Sequence, residues 1–558
     1  MNTIEIKNFR NFEHLEPLSL NDVTILVGPN NSGKSTITKA FRLLGENLYK
    51  IMKGEGDFMS NKFENMDFSN VCGNFKRALS TKAHENVIEF IIRNEMFNII
   101  IKVVPRKEEN SSFAVIKSLQ IDNIIDGCTW RCDLSKNEPE VLFTYSGKFL
   151  ANLTRLKEWK YKKIEYDVIW NIHLFRNENN KESYEIFQKV ATEKNMTINK
   201  LCSNTLNSFK EQLDNFHKIE QQYNALTDIP SVELYDIRPF EIHDKKIVLD
   251  GINTDIVDGD FERFGDNGFI FDKDTETLNV FFKYMQKCLS QILDKNRIVY
   301  IPANESTLES YFRINDTFNA DYANKIINLF YKNNRDKSNW VTRMLKKMGI
   351  CESFSITQVN SDFLYVTITK TTGEVLPLAD FGKGVIQLFL KLLHIANSCV
   401  PSYEEDYFAL LGNEEDYESD FDKDFERGLE RYKMIDAKKM DANLKKKIVI
   451  FEEPEQNLHP ALQSKLADLF MEVSKLGASV LVETHSEYLV RRSQVLVAEQ
   501  KYKDEQELAE KCPFKVYYIP EASKGQPYDM EYRTDGKFGK KFGKGFFDVA
   551  DGLMLDLL

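Results

Sequence analysis

Val23-Thr-Ile-Leu-Val-Gly-Pro-Asn-Asn-Ser-Gly-Lys-Ser-Thr36 carries a short, mostly apolar run of β-formers into a glycine-rich loop, and Thr36 to Leu44 then follows with helical spacing. Between strand and helix, Gly28 to Ser35 fits the spacing G-x-x-x-x-G-K-[ST]. Glycines at both ends let the backbone curl until its N–H groups surround phosphate oxygens, and the helix adds the positive end of its dipole. In such a loop Lys34 reaches the β- and γ-phosphates, and the Ser35 hydroxyl ligates Mg²⁺. The stretch therefore predicts the strand, loop and helix that open an α/β nucleotide-binding core.

Three further motifs follow in order. Leu378-Ala-Asp-Phe-Gly-Lys-Gly-Val-Ile-Gln387 places two glycines before an apolar helix, Leu388 to Ile395. Free N–H groups at such a helix start can cap the terminal phosphate of a second subunit. Ile448-Val-Ile-Phe-Glu-Glu-Pro-Glu455 is an apolar strand ending in carboxylates. Phosphoryl transfer needs neutralised charge and an oriented water, so Glu452 is assigned to the metal and Glu453 to the water. Val480-Leu-Val-Glu-Thr-His-Ser486 is a third strand with a polar tip. A neutral His485 there can hydrogen-bond a γ-phosphate and report its presence.

Around these motifs the chain is ordinary globular material: 558 residues, 42% hydrophobic and 12% aromatic. Its net charge of −12 supplies no overall basic field for nucleic acid. Apolar runs are too short to span a bilayer, and no signal-peptide core opens the sequence, so a cytoplasmic location is expected. Eight cysteines lack zinc spacing and read as reduced thiols.

Thr3 to Arg10 alternates as a half-buried strand, and Glu85 to Val104 and Phe113 to Ile121 add β-type runs that suggest an antiparallel layer. Leu206, Phe209, Leu213, Phe216, Ile219 and Tyr223 step at helical intervals within a predicted helical insertion. Ile298 to Pro302 returns to buried-strand character. Tyr403 to Glu430 is acidic, whereas Lys433 to Lys447 and Lys537 to Lys544 are lysine-rich.

Taken together, the four motifs resemble the SMC-like AAA15 ATPases related to the overcoming-lysogenisation-defect proteins. Ile6-Lys-Asn-Phe-Arg-Asn-Phe12 is similar to the start that this group shares with recombination-repair ATPases. Phe451 to Phe470 resembles its Walker B and D-loop segment, and Val482 to Arg492 its switch-histidine strand and helix. Phe514 to Tyr518, with Gly536-Lys-Phe and Gly545-Phe-Phe-Asp548, resembles a small C-terminal domain found on one subgroup. That subgroup's G-x-G-x-x-Q signature is matched by Gly382, Gly384 and Gln387, with Ile386 where a serine is common.

The resemblance implies an ABC-type P-loop ATPase head, mixed β-sheet core plus antiparallel β layer, with a helical insertion. The expected units are a first part of the head (1–149), the insertion (150–295), a second part of the head (296–511, with an acidic insertion at 401–445) and a small C-terminal module (512–558). ATP and Mg²⁺ are the implied cofactors. Lys34, Glu453 and His485 take the catalytic roles, and Ser35 and Glu452 the metal. Arg10, Asn30, Asn31, Ser32, Gly33, Lys34, Ser35 and Thr36 would hold the nucleotide, with Gly382, Lys383 and Gly384 acting in trans. The implied assembly is a homodimer or higher even oligomer. No Toprim or HNH constellation is found, so any nuclease, HNH or Toprim in type, is expected on a separate partner of an antiphage defence system. The alternative is a DNA-repair or DNA-end-binding clamp, in which nucleic acid is the partner; no membrane is expected.

Overall fold

The first two strands, β1 (Asn2–Phe9) and β2 (Phe12–Leu20), form an antiparallel pair closed by a tight turn in which Arg10 takes φ = +49°. The structure, a computed structural model, describes residues 2–53, 65–94, 97–106, 111–124, 127–133, 140–145, 245–249, 252–256, 297–303, 309–314, 321–332, 335–400, 447–521 and 525–543, with isolated positions at 189, 192 and 547. After β2 come β3 (Val23–Val27), helix α1 (Lys34–Lys53), β4 (Asn65–Asp67) and the single turn α2 (Phe75–Ala78). The strands β5 (Ile88–Arg93), β6 (Phe97–Pro105), β7 (Phe113–Asn123), β8 (Cys128–Asp133) and β9 (Glu140–Tyr145) then build outward from β1. The sheet order is β2-β1-β5-β6-β7-β8-β9, with β4 on β7, and every pair is antiparallel. This is the expected antiparallel layer. Its alternation is clean: Phe97, Ile99, Ile101 and Val103 of β6 are buried and the residues between them are only half-buried.

Within the expected insertion, the described regular structure is a hairpin of β10 (Lys245–Leu249) and β11 (Ile252–Ile256). The helical pattern from Leu206 to Tyr223 and the acidic stretch 401–445 lie outside the described residues.

The second sheet holds the nucleotide-loop strand. In chain order the remaining elements are β12 (Ile298–Ile301), β13 (Tyr311–Arg313), α3 (Tyr322–Lys332), α4 (Arg335–Met348), β14 (Ser353–Gln358), β15 (Phe363–Thr369), β16 (Val375–Pro377) and α5 (Lys383–Cys399). They continue with β17 (Lys447–Glu452), α6 (Pro460–Ser474), β18 (Ala478–Glu483), α7 (Glu487–Glu499), α8 (Glu505–Lys511), β19 (Phe514–Tyr518) and β20 (Tyr528–Asp529). The sheet runs β12-β17-β18-β3-β19-β20, parallel from β12 to β19 and antiparallel at β20. Strands β3 and β18 are buried at every position, as parallel strands covered on both faces must be. Strand β19, read from sequence as part of a C-terminal module, hydrogen-bonds β3 along its whole length and so belongs to this core sheet.

One apolar cluster joins this sheet to α3, α4, α5, α6 and α7. Phe451 of β17 packs on Phe470 of α6 with ring centroids 4.8 Å apart, and Phe389 of α5 meets Phe354 of β14 edge-on at 5.2 Å. Each such ring removed from water contributes roughly 1.5–3 kcal/mol. Strands β13 to β16 make a four-stranded sheet that the sequence reading did not anticipate. Strand β15 alternates cleanly, with Leu364, Val366 and Ile368 buried, but β14 buries no residue fully and β13 and β16 span three residues each.

Candidate functional site

Where β3 meets α1, the chain turns through a loop whose backbone cannot tolerate other residues at its second glycine. Gly33 has φ = +110°, and a Cβ there would stand 2.8 Å from the Phe12 ring. Asn31 also takes the left-handed region, at φ = +59°. Its carbonyl accepts from the Asn11 side-chain amide at 3.0 Å, so the β1–β2 turn braces the loop. Asn11 was not singled out from the sequence; the recorded side-chain contact of the predicted Arg10 is with Cys72, at 4.0 Å.

Lys34 is almost fully buried, and its ammonium donates to the carbonyls of Gly28 and Pro29 at 2.9 Å each. Burial lowers its pKa, against the upward pull of Glu483, Glu453 and Glu455. Ser32 is fully buried, and its hydroxyl has no hydrogen-bond partner among the described residues. A buried orphan hydroxyl, a buried ammonium and a helix start converge here, which is the donor set an oxyanion requires. Thr36, by contrast, directs its backbone N–H at the Gly33 carbonyl.

Across the sheet, β17 and β18 end side by side with Glu452 and Glu483 in register. Ser35 Oγ donates to Glu483 Oε1 at 2.6 Å, and Thr38 Oγ1 to Oε2 at 3.4 Å. Glu452 instead accepts from the Tyr300 hydroxyl of β12. Burial raises the Glu483 pKa, with the negative charge of Glu452 and Glu453 adding to the rise. Among the described residues no three His, Cys, Asp or Glu side chains converge as a metal cage. The site offers a divalent cation Ser35 and carboxylate oxygens beside a phosphate cradle, the open arrangement that suits Mg²⁺ held partly by phosphates and water.

The turn after β17 is unusual. Glu453 has φ = +40° and Asn457 φ = +58°. The Glu453 amide donates to the Glu483 carbonyl at 2.8 Å, and its carboxylate accepts from the Gln456 side-chain amide. His485 Nε2 lies 3.9 Å from Glu453 Oε1, and its backbone N–H donates to Glu455 at 2.6 Å. Burial and the nearby Lys34 cation both lower the His485 pKa, which favours a neutral imidazole. Lys34, Ser35, Glu452, Glu453 and His485, scattered in sequence, thus gather at one edge of the parallel sheet.

Helix α5 starts at Gly382, which provides no side-chain cap, so the Lys383 and Gly384 N–H groups have no intrahelical acceptor. Lys383 is exposed, while Ile386 is buried in the core. A Cβ at Gly384 would fall 2.1 Å from the Asn457 carbonyl oxygen. Asn457 also donates to Gln387 Oε1 at 3.0 Å, and buried Lys391 donates to the Pro454 carbonyl at 3.4 Å. One face of α5 therefore sits on the turn that carries Glu453.

The family described as "AAA domain, putative AbiEii toxin, Type IV TA system" matches residues 166–491, more than half of the 558-residue chain. The chain belongs to this AAA family. The span that matches the AAA family includes the α5 motif, both carboxylate-tipped strands and His485, and begins after the P-loop. No curated protein is significantly similar in sequence. Among solved structures, the SMC head domain from Thermotoga maritima is similar at 9% identity and TM-score 0.31, covering 95% of this chain and 98% of its own. The Pyrococcus furiosus Smc head with an extended coiled coil, bound to the C-terminal domain of ScpA, gives 9% identity and TM-score 0.28 over 100% of both chains. These scores are too low to carry residues across. The fold of this AAA-family chain is mixed α/β with several sheets, and its parallel sheet carries the P-loop strand. Among the described residues no helix is long and apolar enough to cross a membrane.

Proposed function

We propose that this chain binds ATP with Mg²⁺ in the Gly28–Ser35 loop and hydrolyses it between paired heads. We further propose that it is the cytoplasmic sensor and scaffold subunit regulating a separate nuclease in antiphage defence. The observation that carries the ATPase reading is the convergence of Lys34 and Ser35 with Glu453, Glu483 and His485. Lys34 would exchange its two loop carbonyls for phosphate oxygens. Ser35 and a carboxylate from the paired ends of β17 and β18 would hold the cation, which neutralises phosphate charge when bound. Glu453 would accept a proton from the attacking water, and neutral His485 would donate to the terminal phosphate. The uncapped start of α5 would serve the partner head's nucleotide.

The defence role is supported by the family's description, "AAA domain, putative AbiEii toxin, Type IV TA system", together with the AAA15 resemblance of the motifs. Nucleotide occupancy would close the head pair and hold the effector inactive. Capture of partners on the full chain carrying Glu453→Gln with ATP tests this role. Recovery of an HNH or Toprim nuclease is expected, and recovery of bare DNA without protein would replace the reading with a DNA clamp. Lys34→Ala should abolish ATP binding in equilibrium dialysis; normal binding would refute the site itself.

A further inference from the structure

Two carboxylates compete for one role at this site, and their surroundings separate them. The strand order places β18 between β17 and β3, with Glu483 in register with Leu26 and Glu452 in register with Glu483. Glu483 is thus one strand from the loop-bearing strand and Glu452 two, at about 4.8 Å per strand. Their hydrogen bonds lead apart. Glu483 takes the Ser35 hydroxyl at 2.6 Å and shares the Thr38 hydroxyl, 3.4 Å away, with the nearer Ser35 carbonyl at 3.2 Å, both from the first turns of α1. Glu452 takes the Tyr300 hydroxyl from β12, on the far side. The Tyr300 ring is in turn covered by the Arg42 guanidinium, 4.4 Å from its centroid, and Arg42 is paired with Glu46 at 2.9 Å.

We propose that Glu483, on the strand leading to His485, is the carboxylate that serves the divalent cation, and that Tyr300 holds Glu452 as a structural anchor between β12 and β17. The assignment rests on the ATP reading above. A serine hydroxyl has one proton and two lone pairs. With the proton committed to Glu483, the Ser35 lone pairs are left for a hard cation, and the negative charge behind the hydroxyl makes it a better ligand. That the neighbouring cradle takes an oxyanion is marked independently by the buried, unpartnered Ser32 hydroxyl.

The test titrates Mn²⁺ into the full-length protein with ATP and reads free Mn²⁺ by its EPR signal, with ATP binding in EDTA measured in parallel. Glu483→Gln is expected to weaken Mn²⁺ retention by roughly 10–100-fold, the usual consequence of losing a group that supports a metal ligand, while metal-free ATP binding is kept. Glu452→Gln and Tyr300→Phe should each change it by less than about threefold. A loss in Glu452→Gln equal to or larger than that in Glu483→Gln overturns the assignment, as does retention within about threefold in Glu483→Gln. If Glu483→Gln does not fold, Glu483→Asp withdraws the carboxylate by one methylene and must also weaken Mn²⁺; unchanged affinity overturns the proposal. A native chain that binds no ATP either with Mn²⁺ or in EDTA defeats the ATP reading and this assignment with it. One that binds ATP in EDTA but retains no Mn²⁺ overturns this assignment and leaves the nucleotide cradle standing.

Discussion

Glu453 holds a backbone conformation that costs a non-glycine residue on the order of 1–3 kcal/mol, at φ = +40°. The strain is sustained locally, by the amide bond to the Glu483 carbonyl and the grip of Gln456 on the carboxylate. A strained acid beside a neutral imidazole is suited to positioning a water. Glu453→Gln should therefore lower ATP turnover by about 10²–10⁴-fold while ATP binding persists; a loss below about tenfold by phosphate release would remove Glu453 from the role of base. Lys391 supplies a second test at this scale. Burial lowers its pKa to about 8, from an ordinary value of 10.5. Between those values the unfolded chain holds the extra proton, so this group makes stability rise with pH across that window and penalises the fold most fully below it. Urea unfolding of the native chain and Lys391→Met from pH 7 to 10 should show the native chain gaining on the variant as pH rises. A constant difference would mean that Lys391 keeps an ordinary pKa.

At the scale of elements, α5 and the turn after β17 are packed as one piece. Gly384 leaves no room for a methyl group against the Asn457 carbonyl, and Gln387 and Lys391 repeat the contact along the same face. Gly384→Ala should destabilise the chain by about 1–3 kcal/mol, since the clash is with backbone and cannot be relieved by a rotamer. It should also slow hydrolysis more than it weakens ATP binding, because the displaced turn carries Glu453 and not Lys34. Phe451→Ala, which removes a fully buried ring from between β17 and α6, should cost about 3–5 kcal/mol in denaturant unfolding. The positions of these elements were legible because apolar runs and helical spacing are local signals. Helix α1 nevertheless runs from Lys34 to Lys53, beyond the predicted Leu44, since a helix already nucleated and packed extends through polar turns that periodicity alone would end.

For the whole molecule, the proposed pairing of heads would use the exposed, uncapped start of α5. Glu453→Gln with ATP should elute as a dimer or higher even oligomer in light-scattering chromatography, and the same protein without nucleotide as a smaller species. A mass unchanged by ATP would leave the α5 glycines without their proposed ligand. The sequence by itself determined the phosphate loop, the carboxylate-tipped strand β17 and the histidine strand β18, because each is a short run whose chemistry and flanking pattern lie within about ten residues. What only the tertiary structure decided is which of those tips meet. Strand register, set by hydrogen bonds between distant segments, brings Glu483 to Ser35, 448 positions away, and Glu452 to Tyr300, 152 positions away. It also binds Phe514–Tyr518 to β3 as a core strand. A one-dimensional pattern records that a strand exists and which residues end it, but the neighbour it takes depends on long-range pairing that no local run encodes.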